Sequence, residues 1–183
     1  LGDLVVEQAR LMRQQVDPYL DRARMAAQTQ AIGVVTEVEP SILAIARVMR
    51  RLSQDKGLSI ETVVPTSLRF RGEQRDFEEM LGNLVDNACK WGRSAVRITA
   101  ELDRSADASR PFLILSVDDD GPGLSPEARR EATKRGRRLD ESVPGSGLGL
   151  SIVSDMVAAY GGTLSLETSD LGGLRARVSL PAL

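Results

Sequence analysis

Phe112-Leu113-Ile114-Leu115-Ser116-Val117-Asp118-Asp119-Asp120-Gly121-Pro122-Gly123 is the stretch on which the fold turns. Its first six residues form an almost continuous apolar run, which predicts a strand in the middle of a sheet. Three carboxylates beside Gly-Pro-Gly follow it directly. Such a sequence fits a plain turn, a metal cluster, or a strand end where a carboxylate accepts hydrogen bonds from an exocyclic amine. In the last case the glycines let the backbone come close to a ligand.

Upstream, Val96, Ile98, Ala100 and Leu102 alternate with Arg97, Thr99 and Glu101, a strand with one face buried. Before it, a helix is predicted from about Gln74 to Trp91. Phe77, Met80, Leu81, Leu84 and Ala88 make its apolar stripe, while Glu79, Asn83, Asn87 and Lys90 share another face. A polar stripe is ordinarily a solvated surface. Two asparagines spaced i, i+4 are poor helix formers, however, and a plain surface would more cheaply carry Glu or Lys. Amide oxygens are hard ligands suited to Mg²⁺, and a lysine one turn on is placed to meet phosphate. Further back, residues 58 to 64, 68 to 71 and 32 to 37 read as short strands. Ile42, Ile45, Ala46, Met49 and Leu52 mark a helix that stops at Lys56-Gly57. Residues 3 to 28 read as one long helix with a seam (Val5, Ala9, Met12, Val16, Tyr19, Ala23, Ala26), kinked at Pro18.

Downstream, residues 120 to 147 are rich in Gly, Pro, Ser and charge, too long for a simple connection, and read as a functional loop or lid. Gly145-Ser146-Gly147-Leu148-Gly149-Leu150 then leads into a helix over about 148 to 160, where a glycine-rich start is a natural phosphate cradle. It is neither a dinucleotide G-x-G-x-x-G nor a P-loop, because no Gly-Lys-Ser/Thr follows. Gly161-Gly162 ends the helix. Two alternating strands follow, on Leu164 and Leu166 and then on Leu174, Ala176, Val178 and Leu180. The expected fold class is α/β (α+β): a two-layer sandwich of a mixed sheet of about five or more strands, covered by about three helices.

With 42% apolar and 27% charged residues over 183 positions, the chain has a globular balance, and a net charge of -2 argues against a nucleic-acid partner. No apolar run approaches a membrane span. Cys89 is the only cysteine, which excludes an internal disulfide. No histidine is present at all, so serine and cysteine triads, His-based zinc sites and imidazole bases are excluded together.

Taken in order, Asn83-Leu-Val-Asp-Asn87-Ala-Cys-Lys90, Asp119-Asp-Gly121-Pro-Gly123 and Gly145-Ser-Gly147-Leu-Gly149-Leu resemble the N, G1 and G2 boxes of the gyrase/Hsp90/histidine-kinase/MutL ATPase superfamily. Sensor histidine kinases fit best, and Asp76-Phe77, Gly82-Asn83 and Asp86-Asn87-Ala88-Cys89-Lys90 look like the PhoQ type. The resemblance covers residues 31 to 183 and implies a Bergerat-type ATP-binding fold with a long ATP lid. Residues 1 to 30 then look like the second helix of a dimerisation and histidine-phosphotransfer hairpin, whose phosphoacceptor histidine is expected upstream of Leu1.

The resemblance further implies ATP and Mg²⁺ as ligands. Asn87 would hold Mg²⁺, with Asn83 beside it at the metal and its water, and Lys90 would contact phosphate. Trp91, where such kinases carry Tyr, would stack on adenine. Asp119 would accept the adenine amino group, with Gly121 and Gly123 permitting close approach. Gly145, Gly147, Leu148 and Gly149 would wrap the phosphates, and Arg138 would stabilise charge during transfer. Asn83, Lys90 and Arg138 are thus the expected catalytic groups. Expected partners are the chain's own phosphoacceptor domain, a response regulator receiver domain and a second copy in a full-length homodimer, in the cytoplasmic portion of an inner-membrane bacterial sensor.

Two positions depart from the pattern. Thr133 stands where the F box has an aromatic, and Val143 stands where these kinases carry an arginine before the G2 glycines. Asn83 itself replaces the glutamate with which gyrase and Hsp90-like ATPases activate water, and an amide cannot act as that base. Phosphotransfer to a partner side chain is therefore favoured over hydrolysis. Two alternatives remain: an ATP-binding pseudokinase or scaffold, and a serine kinase of the anti-sigma-factor type.

Overall fold

The structure is a computed structural model that describes residues 34–103, 111–132 and 149–183. The long helix expected over 3 to 28 lies outside the described residues, as does most of the stretch read as a lid.

Helix α1 (Val38–Leu52) opens with Pro40 in its first turn and Glu39 near its positive end, and closes on Arg50 and Arg51. A 3-10 turn over Gln54–Lys56 follows and ends at Gly57, whose φ of 63° is the left-handed conformation expected of a glycine stop. Helix α2 (Gln74–Trp91) has the predicted bounds, and its apolar stripe of Phe77, Met80, Leu81, Leu84 and Ala88 is buried together with Val85 and Cys89. A short helix α3 (Pro126–Ala132) and helix α4 (Gly149–Ala159) complete the helical set.

The strands are β1 (Thr36–Glu37), β2 (Ser59–Val63), β3 (Arg69–Phe70), β4 (Ala95–Asp103), β5 (Phe112–Asp119), β6 (Thr163–Thr168) and β7 (Leu174–Pro181). Five of them form one sheet in the order β2-β4-β5-β7-β6, and β1 and β3 form a separate pair. β2 runs parallel to β4; the other pairings are antiparallel, so the sheet is mixed. β5 is the central strand, as its apolar run predicts.

Alternation decides the faces. Val96, Ile98 and Ala100 of β4, Leu113, Leu115 and Val117 of β5, and Ala176, Val178 and Leu180 of β7 point into one core. There they meet Ile42 and Ala46 of α1, Phe77, Leu81 and Leu84 of α2, and Val153 and Val157 of α4. Three helices therefore cover one face of the sheet, which is the expected sandwich. Burying one such side chain contributes about 1.5–3 kcal/mol.

Two differences from the sequence reading matter for function. β5 does not end at Val117: Asp118 and Asp119 are still paired with Arg97 and Val96 of β4. The carboxylates are thus the last residues of the strand and alternate in direction. The loop predicted from 120 onward also contains α3, whose start is capped by the Ser125 hydroxyl, accepting from the Ala128 amide at 3.2 Å.

Candidate functional site

The site is built where the C-terminal end of central β5 meets the polar stripe of α2. Asp118, Asp119 and Asp120 part company at this point. Asp118, 1% exposed, faces the side of the sheet away from the helices. There its Oδ1 accepts from Arg175 Nε at 2.8 Å, while Oδ2 is buried with no hydrogen-bond partner. Asp119, 2% exposed, faces the helix side, and its Oδ1 accepts from the Gly121 amide at 2.8 Å and the Leu174 amide at 3.2 Å. None of the described residues donates to Asp119 Oδ2. Asp120 turns back to the loop after α2, taking the amides of Arg93 and Ser94 and the Ser94 hydroxyl. A shared metal cluster is incompatible with three carboxylates aimed three ways, and no group of three or more metal-ligating side chains occurs among the described residues.

Burial pushes the Asp119 carboxyl above its ordinary range, and the amides of Gly121 and Leu174 only partly pull it back. A carboxylate held by backbone donors on one oxygen, with the other taking no donor among the described residues, can serve as a fixed acceptor for an amine. The glycines explain the close quarters. A Cβ on Gly121 would lie 2.5 Å from the Trp91 carbonyl oxygen. Gly123, at φ 67°, carries the chain across the backbone of Gly173.

On α2, Asn83 Nδ2 donates to the Glu79 carbonyl at 2.8 Å. That bond fixes the orientation of the amide, because only the nitrogen can face a carbonyl oxygen, and it turns Oδ1 outward. Gly149, the first residue of α4, sits so close that a Cβ there would be 3.3 Å from Asn83 Oδ1. Asn83, Asn87 and Lys90 are all half-buried on one face of α2. Lys90 Nζ pairs with Asp86 Oδ2 at 2.5 Å one turn back. With 38% and 50% of the two side chains exposed, this bond is worth a few tenths of a kcal/mol and holds the ammonium only loosely. Trp91 ends the helix, half-buried.

The structure therefore brings Asn83 and Gly149 together and places Trp91 against Gly121, which adjoins Asp119 through the hydrogen bond to its carboxylate. Arg138, Gly145, Gly147, Leu148, Thr133 and Val143 lie outside the described residues. Sequence reasoning missed Gly173 and Leu174. The Gly173 amide donates to the Asp119 carbonyl at 3.1 Å, and a Cβ on Gly173 would run into the Asp119 carboxylate and the Gly121 amide. Their only signal was a Gly-Gly pair between two alternating strands, which announces a turn and not what the turn touches.

Residues 72–183 match the family model described as histidine kinase-, DNA gyrase B-, and HSP90-like ATPase. The chain belongs to that ATPase family. Among curated relatives, the sensor protein kinase CarS of Pseudomonas aeruginosa is 39% identical over 99% of the chain, which spans 39% of that protein. The sensor protein PhoQ of Escherichia coli is 34% identical over 96% of the chain, spanning 35% of its length. Among solved structures, a mycobacterial sensor histidine kinase, MprB, superposes with a TM-score of 0.68 at 27% identity, covering 81% of the chain and 97% of the neighbour. The ATP-binding domain of PrrB from Mycobacterium tuberculosis gives 0.66 at 26% identity, over 82% and 97% respectively. Within the ATPase family the chain is thus an ATP-binding domain of the sensor-histidine-kinase type, and it spans less than two-fifths of the length of these curated relatives. No helix among the described residues is long and apolar enough to cross a membrane.

Proposed function

We propose that residues 31–183 bind Mg²⁺-ATP and pass its γ-phosphoryl group to a histidine on a segment upstream of Leu1, with residues 1–30 belonging to the helical hairpin that carries it. The observation that carries the reading is Asp119: a buried carboxylate with one oxygen tied to two backbone amides and the other taking no hydrogen bond from any described residue. Asp119 accepts the adenine amino group, Gly121 and Gly123 admit the ring edge, and Trp91 stacks against it. Asn87 holds Mg²⁺ together with Asn83, whose amide oxygen is the atom left over by the bond to Glu79. Mg²⁺, when bound, offsets phosphate charge. Lys90 leaves Asp86 for a phosphate oxygen, and Arg138, Gly145, Gly147, Leu148 and Gly149 complete the phosphate cradle.

In the transfer the bond from the γ-phosphorus to the β,γ-bridging oxygen breaks, ADP leaves, a phosphorus–nitrogen bond forms on the imidazole, and its proton goes to solvent. The chain's own contribution is positioning and charge stabilisation. Asn83, an amide, offers water no base. The whole protein is then a homodimeric sensor that hands its phosphate to a response regulator receiver domain, with this domain on the cytoplasmic side of the inner membrane.

The deciding experiment mixes the chain with labelled ATP and an upstream segment of the same protein that carries the acceptor histidine. Acid-labile, alkali-stable label on that segment is expected. Acid-stable phosphoserine on a partner would point to the anti-sigma-factor type. Tight ATP binding without transfer would point to a pseudokinase, the reading favoured by Thr133 and Val143.

A further inference from the structure

We infer that Asp120 is a positioning residue for the nucleotide base: it clamps the loop that follows Trp91 onto the strand end that carries Asp119, and so sets the spacing of the two sides of the base site. The inference rests on the adenine reading of Asp119 and Trp91.

Asp120 spends both carboxylate oxygens on one short segment. Oδ1 accepts from the Arg93 amide at 2.7 Å and the Ser94 amide at 3.0 Å. Oδ2 accepts from the Ser94 amide at 3.0 Å and the Ser94 hydroxyl at 2.6 Å. Its own amide donates to the Ala95 carbonyl at 3.3 Å. The clamped segment is tied in turn to β2, because the Ser59 amide donates to the Ser94 carbonyl at 2.8 Å. Burial alone would push the Asp120 carboxyl up, but the Ser94 hydroxyl and the amides of Ser94, Ala95 and Arg93 outweigh it and hold it far below the ordinary range. The hydrogen bonds of the clamp thus favour the charged carboxylate.

The arrangement does more than close a loop. Asp119 precedes Asp120, and Trp91 lies two residues before Arg93, so the clamp fastens the acceptor and the stacking residue to each other. The two backbones also touch, since Gly121 is packed so closely against the Trp91 carbonyl that no Cβ fits. A carboxylate already satisfied on both oxygens has nothing left for a ligand, so it acts through Trp91 and Asp119 and does not itself touch the base.

The test compares Asp120→Ala, Asp120→Asn and Ser94→Ala with the parent chain, and Asp119→Asn serves as the control on the adenine reading. Calorimetry supplies ATP, ADP and GTP affinities. Quenching of Trp91, the only tryptophan in the sequence, reports the loop without any nucleotide. Asp120→Ala should weaken ATP and ADP alike by about tenfold, narrow the preference for ATP over GTP, and make Trp91 more quenchable. Asp120→Asn should fall between, since one amide oxygen still accepts, and Ser94→Ala should change least. Should Asp120→Ala fail to fold, the Asn and Ser94 variants decide alone. A folded variant with parental base preference and parental Trp91 quenching overturns the clamp while leaving the adenine reading intact. So does a loss of ATP and GTP affinity in equal measure, which would be a purely structural effect. An Asp119→Asn variant that binds ATP like the parent overturns the adenine reading, and the inference with it.

Discussion

Three consecutive aspartates with three different surroundings show how far residue-level chemistry can be pressed. Asp119→Asn keeps an oxygen for the Gly121 and Leu174 amides, so the fold should survive, and losing a buried charge should leave Tm unchanged or higher. The atom replacing Oδ2 becomes a donor facing another donor. Affinity for adenine nucleotides should fall by about 1.5–3 kcal/mol, the worth of a charge-assisted hydrogen bond, equally for ATP and ADP; calorimetry with both ligands checks it. A pH effect follows as well. Because burial raises the Asp119 carboxyl, its protonation begins at higher pH than in the unfolded chain. As pH falls through that value, folding gains relative stability while the site loses its charged acceptor. Adenosine, which has no phosphate to titrate, should therefore bind more weakly as the pH is lowered through the Asp119 titration in the parent and show no such loss in Asp119→Asn. The sequence made Asp119 legible through its place after an apolar run and before Gly-x-Gly. It could not tell which aspartate faces the helices, because that depends on where β5 stops pairing, and the strand runs two residues further than its apolar residues do.

At the level of elements, α2 does two jobs on two faces. The period of 3.6 residues separates Leu84 and Ala88, in the core, from Asn83 and Asn87, at the site. The faces should be separable by mutation. Leu84→Ala opens a cavity and should cost about 2–5 kcal/mol in denaturant unfolding, whereas Asn87→Ala should leave the unfolding midpoint near the parent's and sharply weaken Mg²⁺-ATP binding. Unchanged Mg²⁺-ATP affinity in folded Asn87→Ala would remove Asn87 from the metal site. The turn between β6 and β7 is the less obvious element. Gly173→Ala should disrupt both stability and nucleotide binding, because its Cβ meets the Asp119 carboxylate proposed to hold the base; parental ATP affinity in that variant would show the turn to be irrelevant to the site. Long periodic elements such as α2 and β4 were readable because their faces are uniform over several turns or pleats. α3 was not, since it has seven residues, buries only Ala132 and offers no period, although its Ser125-Pro126 start carries a cap and a helix-opening proline.

Across the whole sheet, the face away from the helices carries a row of alternating charge. Glu61, Arg97, Asp118, Arg175 and Glu167 stand opposite one another on successive strands. Asp118, buried beneath the row, leans on Arg175, which also reaches Asp170 at 2.8 Å. Arg175→Leu should therefore cost about 3 kcal/mol or more by stranding a buried carboxylate, a loss read in chemical denaturation and independent of nucleotide. The molecule's most informative property is one of composition: with no histidine anywhere in its 183 residues, the chain holds no imidazole for a γ-phosphate. On the proposed reading, Asn83 in place of a water-activating glutamate would withdraw the other outlet. ATP should consequently be bound and hardly consumed, and bound nucleotide should raise Tm by mass action. Incubated alone with labelled ATP, the chain should acquire no acid-labile phosphate and release little inorganic phosphate. With a histidine-bearing segment added in trans, label should appear there slowly, because two separate pieces lack the effective concentration that a covalent link provides. Rapid hydrolysis by the chain alone, abolished in Asn83→Ala, would mean that this amide orients water after all, and the assignment of the site to phosphotransfer would fail.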